Sequence, residues 1–194
     1  MAMELLDFYS FVRTVLDAVE AVGIEYMIGG GVAIAAWGEG RSTQDLDLIV
    51  YLEEKDLEPL SKEFWDRGMA VPPDIMHNLI ADTRSDLAIN AIHGYSGFKA
   101  ELFPLRRGDT LRQSALKRRR EVELPPPLGK VYVHSPEDLI LYKLLYYSIS
   151  HQTKHVRDIK SILARIDNLD IPYIEHWATQ RNLMKYWEEI SERA

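Results

Sequence analysis

Asp45 and Asp47 stand at alternate positions of an apolar run, Asp-Leu-Asp-Leu-Ile-Val. If the run is a strand, its period of two puts both carboxylates on one face and turns Leu46, Leu48 and Val50 to the other. Acidic side chains crowded on one strand face are costly unless a cation lies between them. Hard carboxylate oxygens suit Mg²⁺, which keeps several waters and takes substrate phosphates as further ligands. Upstream, a strand-like stretch ending at Ile28 meets Gly29, Gly30 and Gly31, and an apolar helix is expected from Val32 to Trp37. Glycines let the backbone N–H groups of a helix start come close to a phosphate. The segment from Ile28 to Val50 thus offers a phosphate cradle beside a carboxylate pair. A third acid, Glu101, lies in Ala-Glu-Leu-Phe, among apolar neighbours that suit a strand.

The elements that must hold these residues follow from pattern. Leu5, Phe8, Tyr9, Val12, Val15, Leu16 and Val19 recur at helical spacing, and Gly23 marks a stop. A strand is expected over 25–28. Residues 53–67 predict a helix with Leu57, Leu60, Phe64 and Trp65 on its buried side, and 74–82 a short one. Residues 87–92 and 98–105 predict a hairpin, with Gly94 and Gly97 at the turn and Pro104 at a strand end or sheet edge. A short strand is expected over 130–134. Ser135-Pro136-Glu137-Asp138 then starts a helix: Ser as N-cap, Pro at the first helical position, acids in the first turn. Beyond it the pattern is helical, with a break near Asp170 to Pro172. The expected class is α+β, a small mixed sheet flanked by helices with a C-terminal helical region. The division expected is 1–128 as the site-bearing domain and 129–194 as a helical region packed on it.

The chain has 194 residues, enough for one sizeable core. A net charge of −7 argues against indiscriminate coating of nucleic acid. Without cysteine there is no disulfide framework and no thiolate metal site, which is compatible with a reducing cytoplasm, the location expected. No apolar run approaches the roughly 20 residues of a membrane helix, so no membrane association is expected. The acidic opening, without a basic leader, does not read as a signal peptide.

Other candidates carry weaker signals. His151 and His155 are one helical turn apart, but no zinc-hydrolase acid motif accompanies them, so a solvated face is expected. The basic run Arg106, Arg107, Arg112, Lys117, Arg118, Arg119 and Arg120 fits a solvated face better than an RNA or phosphate site. Tyr142, Tyr146, Tyr147, Tyr186 and Trp187 fit core positions better than base-stacking ones.

As a set, the glycines, the Asp-x-Asp strand and the later acid resemble the signature of the DNA polymerase β-like nucleotidyltransferase superfamily. Gly30, Gly31, Ala33, Gly38, Arg41, Thr43, Asp45 and Asp47 look like its minimal bacterial and archaeal branch, which includes AbiEii-type toxins of toxin–antitoxin systems. Two later stretches, SPEDLILYKL and KHVRDIKSIL, also look like that branch and map its recurring lysine and aspartate onto Lys143 and Asp158. The third acid of close relatives is usually aspartate; here it is Glu101.

The resemblance implies a nucleotidyltransferase fold and transfer of a nucleoside monophosphate from a nucleoside triphosphate to a hydroxyl. It implies Mg²⁺ or Mn²⁺ held by Asp45, Asp47 and Glu101. Gly30, Gly31, Arg41, Ser42, Thr43, Lys143 and Asp158 would serve the nucleotide, ATP among the candidates. Lys143 is expected to face the cleft with Asp158 beside it, and to be removable at little cost in stability. The acceptor stays open between RNA, protein and a small molecule, and an antitoxin is the implied partner. Two competing readings are a non-catalytic nucleotide- or partner-binding member of the same fold and a plain RNA-binding module.

Overall fold

The computed structural model describes residues 5–40, 42–82 and 86–192. The chain opens with α1 (Phe8–Val22), which Gly23 ends in the left-handed conformation that spares a Cβ clash. β1 (Tyr26–Ile28) follows, then α2 (Gly30–Trp37), then β2 (Asp45–Val50). A 3₁₀ turn (Glu54–Asp56) leads into α3 (Leu57–Asp66), where one longer helix was expected. Leu57, Leu60 and Phe64 are buried, but Trp65 is 71% exposed and does not join them. α4 (Pro73–Ala81), β3 (Ile89–Ile92) and β4 (Lys99–Pro104) come next. Pro104 closes β4 at its end, since β4 pairs on both sides and is no edge.

The basic run forms α5 (Thr110–Arg118) and enters β5 (Arg120–Leu124), a strand that pattern did not reveal. β6 (Gly129–Val133) pairs back on β5 and also lies beside β1. The remaining helices are α6 (Pro136–Ser150), α7 (Thr153–Leu163), α8 (Ile171–Gln180) and α9 (Met184–Ser191). The Asp138 N–H donates to Ser135 Oγ at 3.1 Å, and that hydroxyl donates to Asp138 Oδ2 at 2.7 Å, so Ser135 caps α6.

Among the described residues the sheet has six strands in the order β3-β4-β2-β1-β6-β5. β1 pairs antiparallel with β2 and parallel with β6, and β2 pairs parallel with β4. The expected division at 128/129 falls inside the β5–β6 hairpin, and the C-terminal helices begin only at Pro136. One continuous core runs from Phe11 through Leu46, Leu102 and Val133 to Ile140, Ile159 and Trp187. Among the described residues no helix is long and apolar enough to cross a membrane.

Candidate active site

The site forms where β2 and β4 run side by side. Their register opposes Asp45 to Lys99 and Asp47 to Glu101. Paired residues of parallel strands point to the same face, so these four charged side chains share one side of the sheet. Leu46, Leu48, Ala100 and Leu102 fill the other side and are buried in the core. Apolar burial on that side dictates the register, because a one-residue slip would bury the acids instead.

The turn from β1 to α2 lies against this pair. The Gly29 N–H donates to the Asp47 carbonyl at 2.8 Å, which ties the glycine turn to β2. Gly30 opens α2 with φ +54, and a Cβ there would fall on the Asp47 carboxylate. Glycine is thus required at position 30 both by conformation and by the close approach of the acid. At Gly31 a Cβ would stand 2.9 Å from the Thr43 side chain. A side chain at position 31 would therefore push first on the Thr43 loop. α2 begins without a side-chain cap, so its first N–H groups have no acceptor within the helix.

A cleft of about 350 Å³ joins these parts to the helical region. Gly30, Gly31, Thr43, Asp45, Asp47 and Glu101 line one wall; Lys143, Tyr146, Ile149, Gln152, Lys154 and His155 lie across from them on the helical side. Thr43 donates to the Asp45 carbonyl at 3.2 Å. Ser42 is exposed, and Arg41 lies outside the described residues. Asp158 stands behind Lys143, with Lys143 Nζ 2.6 Å from Asp158 Oδ2 and both side chains almost fully buried.

Burial, then the charge of Glu101, pushes the Asp47 carboxyl up to about 6; Lys143 and Lys99 pull it part of the way back. Burial, then Asp47, pushes the Tyr146 hydroxyl up to about 12. The three acids converge, but not as a bare cation cage. Lys99 Nζ lies 2.8 Å from Glu101 Oε1 and 3.8 Å from Asp45 Oδ1. Among the described residues no three His, Cys, Asp or Glu side chains are gathered closely enough to hold a metal as they stand. Lys99 is the site residue that sequence reasoning missed. Its signal was present: it sits two positions before Glu101, hence on the same strand face.

Other sequence expectations change at this site. His155 is buried beside Tyr146, ring centroids 5.9 Å apart, and lines the cleft instead of facing solvent. Tyr142 and Trp187 are core residues, whereas Tyr146 stays 38% exposed in the cleft wall. The basic run is no uniform solvated face. Arg112 is buried and bonds both carboxylate oxygens of Asp86, at 2.7 and 3.1 Å. Arg118 lies against Glu137, Asp138 and Asp170, and its guanidinium covers the Tyr173 ring at 3.8 Å. Arg118 ties α5 to the C-terminal helical region and Arg112 ties it to the segment before β3, so both are spent on internal partners.

The six-stranded mixed sheet flanked by helices matches the fold of solved nucleotidyltransferases. The chain is similar along 94% of its length to the antibiotic-resistance factor ANT(2'')-Ia in solution, covering 96% of that protein with a TM-score of 0.60 and 19% identity. It is similar over the same shares to ANT(2'')-Ia in complex with adenylyl-2''-tobramycin, with a TM-score of 0.55 and 16% identity. The lincomycin-bound lincosamide antibiotic adenylyltransferase LnuA aligns with 78% of this chain and 95% of its own, with a TM-score of 0.47 and 14% identity. No protein-family model matches the chain, and no curated protein sequence matches it.

Proposed function

We propose that this protein transfers a nucleoside monophosphate from a nucleoside triphosphate to a hydroxyl acceptor, using a divalent cation. The observation that supports it best is the strand register that puts Asp45, Asp47 and Glu101 on one face, beside an uncapped helix start and inside one cleft. The donor set is all carboxylate oxygen, and Gly30 leaves room for the Asp47 carboxylate at the helix start, which suits Mg²⁺ or Mn²⁺. Bound by Asp45, Asp47 and Glu101, the cation would supply charge neutralisation at the phosphates and activation of the attacking oxygen.

The residues of the chain do the rest. Backbone N–H groups at Gly30 and Gly31 hold the phosphates, with Thr43, Ser42 and Arg41 on the loop beside them. Lys143, fixed by Asp158, faces them from α6 as a buried positive charge. The acceptor oxygen attacks the α-phosphorus, the bond from that phosphorus to the bridging oxygen breaks, and pyrophosphate leaves. Glu101 takes the proton of the acceptor hydroxyl. Tyr146 and His155 offer ring surface to the base or the acceptor.

The complex of ANT(2'')-Ia with adenylyl-2''-tobramycin supports a small-molecule hydroxyl as one acceptor class; an RNA end and a protein side chain are the others. Incubation with each α-labelled triphosphate, Mg²⁺ and total RNA, protein or a small-molecule extract reads out the acceptor. The label should appear with the parent protein and vanish with Asp45→Asn. Equal labelling by both proteins would remove the catalytic reading. A role as the toxin of a toxin–antitoxin pair rests on the sequence resemblance and predicts growth arrest on expression that Asp45→Asn relieves.

One observation favours a second reading, a nucleotide- or partner-binding member that does not turn over: Lys99 already pairs with Glu101 inside the acid set. Nucleotide binding without any labelled product would support it.

A further inference from the structure

We propose that Lys99 is the site's built-in counter-ion, and that its displacement couples divalent-cation binding to triphosphate binding. The inference rests on the nucleotidyltransferase reading above. The register of β2 and β4 makes a two-by-two patch of Asp45, Lys99, Asp47 and Glu101, three negative charges and one positive. Lys99 Nζ stands between two of the three acids, 2.8 Å from Glu101 and 3.8 Å from Asp45. A divalent cation shared by these carboxylates needs the same oxygen lone pairs. Two cations cannot both hold them at contact distance without strong repulsion.

The ammonium is able to leave. The Lys99 side chain is 34% exposed, and its long stem lets the charged end swing while the base of the side chain stays in the strand. Lys143 does not have that freedom: its ammonium is buried against Asp158 at 2.6 Å. Once displaced, Lys99 needs another anion, and a triphosphate in the cleft provides one next to Glu101. The cation frees Lys99 for the phosphates, and the phosphates draw Lys99 from the acids. Each ligand therefore raises the affinity of the other, by the same factor in both directions. Without nucleotide, the protein holds its acids in place with its own positive charge and binds divalent cation weakly.

The test measures Mn²⁺ affinity by calorimetry and by loss of the free-ion paramagnetic signal, with and without a non-hydrolysable triphosphate analogue. Lys99→Met should bind Mn²⁺ about tenfold tighter than the parent protein when no nucleotide is present. The analogue should then strengthen Mn²⁺ binding far less in Lys99→Met than in the parent. Lys99→Arg, which keeps the charge, should retain most of the parent's coupling. Metal-free Lys99→Met should melt lower than the parent and recover on adding Mn²⁺, which also shows that the variant folds. Mn²⁺ affinity in Lys99→Met equal to or weaker than the parent's overturns the proposal. Asp47→Asn separates the two levels: if it keeps full Mn²⁺ binding, the metal-site reading itself fails. If Asp47→Asn loses binding while Lys99→Met matches the parent, only the role of Lys99 fails.

Discussion

At the scale of single residues, the site is held in an electrostatically unfavourable state when it has no ligand. Burial and Glu101 raise the Asp47 carboxyl to about 6, from an ordinary value of 3.8. The folded protein therefore binds more protons than the unfolded chain between these two values. The contribution of Asp47 to stability is largest below the lower value and is lost as pH rises through about 6. At neutral pH the ionised group costs the metal-free protein on the order of 3 kcal/mol. Asp47→Asn should thus melt higher than the parent near pH 7.5 in chelator, while catalysing no transfer. Its advantage should shrink as pH falls towards 4. His134, buried and held neutral with its pKa lowered to about 3, contributes the opposite slope. It does so in both proteins, so it cancels in the comparison. Thermal melts from pH 4.5 to 8 check this; a lower melting temperature for Asp47→Asn at pH 7.5 would contradict it.

At the scale of elements, a buried charged pair joins two helices of the cleft wall. Lys143 on α6 and Asp158 on α7 meet with side-chain exposures of 4% and 2%. Against the expectation that Lys143 can be removed at little cost, this burial implies a penalty, because Asp158 would lose a cation 2.6 Å away in the interior. Lys143→Met should cost about 3–5 kcal/mol. Lys143→Met with Asp158→Leu should regain most of that loss, since two apolar side chains replace the pair. Urea unfolding of the two variants measures both effects. If the single variant is as stable as the parent, the pair is no structural tie, and Lys143 serves the nucleotide alone.

At the scale of the whole molecule, the strands that carry the acids and the helical wall share one core. β6 supplies the partner for both β1 and β5, and the core continues into α6 without interruption. A fragment covering residues 1–128 would lack β6 and leave β5 without its partner. It should not fold alone, as circular dichroism and amide-exchange measurements can establish. The full chain should unfold in one cooperative transition, with tryptophan fluorescence and far-ultraviolet ellipticity changing together. A stable, exchange-protected 1–128 fragment would show instead that the two parts fold independently.

Much of this fold was legible because local rules carried it. Gly23 stops α1 and Ser135 caps α6, each by bonds within a few residues. The alternation of Asp45 to Val50 already placed two acids on one face, because strand period is a property of the backbone. What pattern missed depends on partners far away in the chain. Trp65 has the spacing of a core residue but no neighbour covers it. Arg112 looks like part of a solvated basic run, yet Asp86 and the Phe103 and Tyr142 rings bury it. β5 reads as charged and polar, and is a strand only because β6 pairs with it. By itself the sequence determined which acids and glycines stand together along the chain. Only the tertiary structure decided that Glu101 lies beside Asp47, that Lys99 fills the space between the acids, and that Lys143 and His155 close the cleft. Local conformation depends on neighbours in sequence, whereas register between β2 and β4 depends on which faces the whole core can bury.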